Sequence, residues 1–257
     1  MTIGAQALGS QGRVAKPRAL TAFLSLLQYD LTILARSWVV RFWFLLTIVG
    51  GVAAILLSRN YADPSSFFAS WALVLYAGLG SFVALVISTS AISAERPFLG
   101  VAIISRGIAP TPYLLAKLVS RSLCVLTMFL VVIGPTLFIV MLQGADNDMS
   151  VAGVVLALTY WSLMLTVLVF QGITVSVVFN NTLLGVVVLG VFWYVSLLLL
   201  ALAYAGELTP QGVLGGLPLV LQGESLMIEV YTIVALGVTP LVVLPFVAVR
   251  VFGSQDL

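Results

Sequence analysis

The chain has 257 residues, 61% of them hydrophobic and 8% charged, with a net charge of +2. Soluble domains run at about 45–50% apolar and ~25% charged, so lipid rather than water must solvate most of this chain. With no histidine and one cysteine, Cys124, an internal disulfide, a Cys/His metal cluster and a histidine-dependent catalytic dyad or triad are all excluded.

Residues 1–17 are rich in Gly, Ala, Gln and Ser and read as a disordered lead-in without a cleaved signal peptide. From Leu20 to Trp38 the periodicity is helical and amphipathic. Leu20, Phe23, Leu24, Leu27, Leu31 and Leu34 share one face, while Thr21, Ser25, Gln28, Thr32 and Arg36 share the other. Asp30 and Arg36 argue against a span, so the expectation over 18–38 is an interfacial helix with its leucines in the acyl boundary. The rest, 39–257, reads as an all-α transmembrane domain.

Six stretches are long enough to cross, at 39–58, 67–90, 116–142, 151–179, 183–205 and 227–249. A spanning helix needs about 20 apolar residues for ~30 Å of hydrocarbon. Asn180-Asn181-Thr182 is the natural break in the long uncharged run after Met149. Gly134-Pro135, Pro240 and Pro245 mark kinks that neighbouring helices can accommodate.

Six spans put both termini on one side. That side carries Arg13, Lys16, Arg18, Arg36, Arg41, Arg96, Arg106, Lys117, Arg121 and Arg250, and the other side only Arg59. The positive-inside rule makes the first side cytoplasmic, in a cell membrane. On that side the loop between the second and third spans has a short apolar segment after Pro97, lined by Phe98 and Val101 and closed by Arg106-Gly107. Proline suits a first helical turn, and glycine after an arginine suits a helix end. Pro110-Thr-Pro112 is expected to form an elbow before the third span. On the opposite side, Gly206 to Ser225 has an apolar centre too short to cross, broken by Gly215-Gly216 and Pro218, which reads as a re-entrant or capping element.

The spans hold almost no ionisable groups, with Lys117 and Arg121 at the inner edge of the third. Ion-coupled carriers and voltage sensors usually keep charges within their spans, so those classes are disfavoured. Neutral polar residues on span four, Ser162, Thr166 and Gln171, are the candidate pathway residues. There is no G-x-x-x-x-G-K-[ST] loop for nucleotide, so the chain is not expected to be an enzyme, to bind a cofactor or to contact nucleic acid.

Residues 95–118 resemble the permease subunits of ABC-2 type transporters. The matching residues are Glu95-Arg96-Pro97-Phe98-Leu99-Gly100, Ser105-Arg106-Gly107, Pro110 and Tyr113-Leu114-Leu115-Ala116-Lys117-Leu118. The order of elements along the chain is also similar. One departure is the lack of the Gly-Thr pair that many relatives place shortly after the glutamate. The resemblance implies a half-transporter that pairs with a second permease, identical or related, and binds cytoplasmic ATPase subunits that use the ATP. Glu95, Arg96, Phe98, Val101 and Arg106 would then form the ATPase-coupling contact. The alternative reading is a non-transporting anchor or assembly subunit of a larger membrane complex.

Overall fold

A computed structural model of the chain describes residues 19–60, 64–95, 110–143, 146–179, 181–205, 216–224 and 237–253. Its elements are α1 (Ala19–Arg36), α2 (Trp38–Ser58), α3 (Ser65–Ser93), α4 (Pro110–Gln143), α5 (Val151–Val178), α6 (Thr182–Ala205), α7 (Leu217–Gln222) and α8 (Thr239–Gly253). Every element among the described residues is helical. Four helices, α2 to α5, are long and apolar enough to cross a membrane. They fall on the first four expected spans. The apolar stretches of α6 and α8, Thr182–Ser196 and Thr239–Val251, are shorter. The expected fifth span coincides with α6, and only the end of the expected sixth lies in α8.

The helix ends follow from local chemistry. Ser150 caps α5, its hydroxyl accepting from the Gly153 amide at 3.0 Å. Asn181 caps α6, its carboxamide oxygen accepting from the Leu183 amide at 2.9 Å. The asparagine break is therefore a helix start with its own acceptor. The proline elbow expected at 110–112 is instead the first turn of α4. Proline is tolerated there because the first amides of a helix have no intrahelical acceptor. For the same reason Pro218 opens α7 and does not interrupt it. Pro135 lies within α4 and Pro245 within α8, both of which continue.

The hub of the bundle is α5, which packs most extensively on α3 and also on α4, α8, α7 and α6. The buried face of α3 is built from small residues, among them Ser66, Ala69, Ser70, Ala77, Gly80, Ala84 and Ser88. Small side chains let helix backbones approach closely in lipid, where no hydrophobic force joins them. The approach is tightest where Gly172 of α5 meets Ser88; a Cβ on that glycine would lie 1.9 Å from the Ser88 Oγ. Two of the hydroxyls on this face are satisfied within the helix, Ser70 on the Ser66 carbonyl and Ser88 on the Ala84 carbonyl, each at 2.7 Å. In contrast, α2 leaves Phe42, Leu45, Leu46, Val49, Val52 and Leu56 exposed, a surface suited to acyl chains.

Consecutive long helices alternate in direction. One end of the bundle gathers Ser66, Asp148 and Gln222, with Arg59 donating to Gln143 at 3.1 Å. The other gathers Asp30, Glu95, Lys117 and the Ser93–Thr182 hydroxyl pair.

Candidate functional site: a buried ion network

Lys117 and Arg121 sit one turn apart on α4, about two turns from its start. Both are buried, at 4% and 7% exposure. Two cations in such a place need counter-charge, because a lone buried ion costs several kcal/mol. Asp30 of α1 supplies it and is itself only 2% exposed. The Lys117 Nζ lies 2.6 Å from Asp30 Oδ1, and the Arg121 Nη2 lies 3.4 Å from the same oxygen. The Ser120 hydroxyl donates to the other oxygen, Oδ2.

Glu95, just past the end of α3, completes the set. Its Oε1 lies 2.6 Å from the Lys117 Nζ, and its Oε2 accepts from the Tyr113 hydroxyl at 2.8 Å. The Lys117 Nζ also stands 5.6 Å from the centroid of the Tyr113 ring, a favourable cation–π distance. Two carboxylates thus balance two cations. The Glu95 side chain keeps 38% of its surface exposed, so the network opens to solvent at this corner alone of its four charges.

Lys117 and Arg121 were expected at the inner edge of the third span, and the structure adds their counter-charges; α1, expected to be interfacial, also packs on α4. On its packing side Asp30 and Leu34 are buried and Phe23, Leu26, Leu27 and Leu31 partly buried, while Leu20 and Leu24 are 70% and 52% exposed. The packing seam is rotated from the leucine face so that Asp30 meets α4. Neutralising two buried cations outweighs burying two more leucines, each worth about 1.5–3 kcal/mol at most. A signal was present in the sequence. Phe23, Leu27, Asp30 and Leu34 follow the alternating four-three spacing of a helix–helix seam, with the aspartate inside it.

Hydroxyl contacts tie further helices to this end. The Ser176 Oγ of α5 accepts from the Ile92 and Ser93 amides of α3 at 3.0 and 2.9 Å. Ser93 in turn meets the Thr182 hydroxyl of α6 at 2.6 Å.

Of the expected coupling residues, Glu95 is in the network, whereas Arg96, Phe98, Val101 and Arg106 lie outside the described residues. The N-terminal stretch 1–17 also lies outside them. Ser162 and Thr166 share a stripe of α5, with Thr166 donating to the Ser162 carbonyl at 2.7 Å. Gln171 is nine residues beyond Ser162 and faces nearly the opposite way at 3.6 residues per turn. The Ser162 Oγ and Gln171 Oε1 are buried without a hydrogen-bond partner among the described residues, as are the indole nitrogens of Trp161 and Trp193.

At the opposite end a second polar cluster holds α7. Asp148 accepts from the Ser66 amide at 2.8 Å, from the Ser66 hydroxyl and from the Gln222 Nε2 at 2.7 Å. The Ser150 amide donates to the Leu221 carbonyl at 2.9 Å. A Cβ on Gly153 would lie 2.3 Å from the Val220 and Leu221 carbonyl oxygens, so α7 rests directly on the α5 backbone. Gly223 ends α7 at φ 89, which glycine adopts without strain. Partial burial raises the Asp148 carboxyl, but the Ser66 and Gln222 donors and its own backbone amide outweigh this and hold its pKa below the ordinary value.

No protein-family model matches the chain, and no curated protein matches its sequence.

Proposed function

We propose that the chain is the membrane permease subunit of an ATP-driven exporter of the ABC-2 type. In this reading six helices span a cell membrane, both termini and the network end face the cytoplasm, and two permeases form the pathway. Separate ATPase subunits dock on a short coupling helix after Pro97.

One observation carries the reading beyond the resemblance over residues 95–118. Glu95 immediately precedes segment 96–109, Tyr113 and Lys117 closely follow it, and all three are bonded together. Through Asp30 they are bonded also to α1. A displacement of that segment would therefore reach α1, α3 and α4 through charged contacts. Because Glu95 is already engaged by Lys117 and Tyr113, it offers a partner only its exposed edge, and Phe98 becomes the main apolar contact.

The test is co-purification of the ATPase with the permease in mild detergent. Combining Glu95→Ala with Phe98→Ala is expected to lower ATPase retention about 100-fold, from a lost charge contact and a lost aromatic anchor. Phe98→Ala alone, which leaves the network intact, accounts for roughly 30-fold of that. Normal membrane insertion with wild-type retention by the double variant refutes the coupling role. If wild-type protein brings down no ATPase, the anchor or assembly subunit becomes the better reading.

A further inference from the structure

The elbow between α1 and α2 forms an open groove of about 600 Å³, within the size range of small-molecule and lipid sites. Leu24, Leu27 and Leu31 line it together with the polar Gln28 and Thr32, and Arg36 and Arg41 supply its charge. It lies beside the seam that packs α1 onto α4. Three of the residues expected to enter the acyl boundary thus line a groove along α1 that Arg41 of α2 closes at one end.

Both arginines are exposed. Among the described residues neither joins an ion pair; the three that exist all use Lys117 or Arg121. The Nε of Arg41 donates to the Ala35 carbonyl at 2.9 Å, which anchors its guanidinium across the elbow and leaves its two Nη groups for another acceptor. The two arginines thus line one groove, five residues apart in sequence, with α2 starting between them. The positive end of the α2 dipole adds to them. Trp38, in the first turn of α2, is 78% exposed, as suits an aromatic at the membrane interface.

An open groove that pairs three leucines with two unneutralised guanidiniums is complementary to one molecule already present in the bilayer. We propose that the α1–α2 elbow binds an anionic glycerophospholipid, with its phosphate at Arg36 and Arg41 and an acyl chain along Leu24, Leu27 and Leu31. Basic pockets between transmembrane helices recognise acidic headgroups in this way, and arginine forks match phosphate geometry. A bound lipid would brace α1 on its free side while Asp30 holds the other side to α4. This inference depends on the membrane character of the chain and not on the transporter reading.

The experiment is native mass spectrometry of the full-length protein, titrated with dioleoyl phosphatidylglycerol or dioleoyl phosphatidylcholine. Wild-type protein is expected to prefer phosphatidylglycerol by at least about tenfold, with about threefold of that preference lost for each arginine removed in Arg36→Gln and Arg41→Gln. Arg59→Gln, at the opposite end, is expected to keep the preference. Leu24→Trp with Thr32→Trp, at two exposed lining positions off the α4 seam, fills the groove but leaves both guanidiniums, and is expected to abolish tight binding. Three results would overturn the proposal. The first is equal binding of the two lipids by wild-type protein. The second is displacement of the lipid by millimolar inorganic phosphate at matched ionic strength, which marks a plain anion site. The third is loss of dimers without any lipid preference in the double tryptophan variant, which assigns the groove to a second copy of the chain.

Discussion

The two ends of the bundle each centre on an aspartate, and they use it in opposite ways. At one end Asp30 is 2% exposed and is matched by full cations on another helix. At the other, Asp148 is partly exposed and is matched by neutral donors, the amide and hydroxyl of Ser66 and the carboxamide of Gln222. The first contact joins elements that would repel lipid unless neutralised. The second caps the start of α3, where amides are free and the dipole is positive. Burial makes the first expensive to break, whereas partial exposure to water limits the loss at the second.

The largest effect is expected from Asp30→Ala, which leaves Lys117 and Arg121 buried without their shared anion. Breaking one side of a buried charge set costs about 3–5 kcal/mol. Thermal denaturation in detergent should show a loss well beyond that of Asp148→Ala. Equal losses would mean that the network is hydrated and that the contrast between the two ends is false.

Next in size is Gly153→Ala. The added Cβ would meet the Val220 and Leu221 carbonyls at 2.3 Å, and backbone cannot step aside as a side-chain tip can. A destabilisation of about 1–3 kcal/mol is expected. A cysteine at Leu221, which is buried in the parent, should become reactive to a thiol reagent in a Cys124→Ser background. Unchanged reactivity would show that α7 does not rest on α5.

The smallest effect belongs to Asp148→Asn, about 0.5–2 kcal/mol, the range for losing a cap. Its pH dependence sharpens the comparison. A carboxylate whose folded pKa is lowered contributes stability that is present above its unfolded pKa and lost as pH falls through the folded one. The contribution of Asp148 should therefore be constant at neutral pH and decline only below about pH 4. Subtracting the Asp148→Asn melting curve from the wild-type curve should isolate that step. A flat difference down to pH 2 would exclude the assigned hydrogen bonds.

The difference between the ends also marks how far local pattern reaches. Hydropathy placed α2 to α5, and Asn181 marked the start of α6, because length, apolarity and capping are properties of a single segment. The direction of each long helix followed as well, since alternation needs only their order. What pattern missed was rotation. The side of α1 that packs takes in Leu27, Leu31 and Leu34 but leaves Leu20 and Leu24 exposed and brings in Asp30, a rotation that depended on Lys117 and Arg121, far along the chain.

By itself, the sequence determined that this is a helical membrane protein, because burial in lipid leaves a chain few other forms. It also contained the residues of both polar clusters. Only the tertiary structure decided that Asp30 would be the anion for two cations of α4, that Glu95 would close the network beside segment 96–109, and that Asp148 would hold α7 against α5. Those pairings join residues 18 or more positions apart, with Asp30 and Lys117 separated by 87. A buried charge is satisfied by whatever the packed backbone brings within reach, and the reach is set by helix rotation and close approach at small residues such as Gly153 and Gly172.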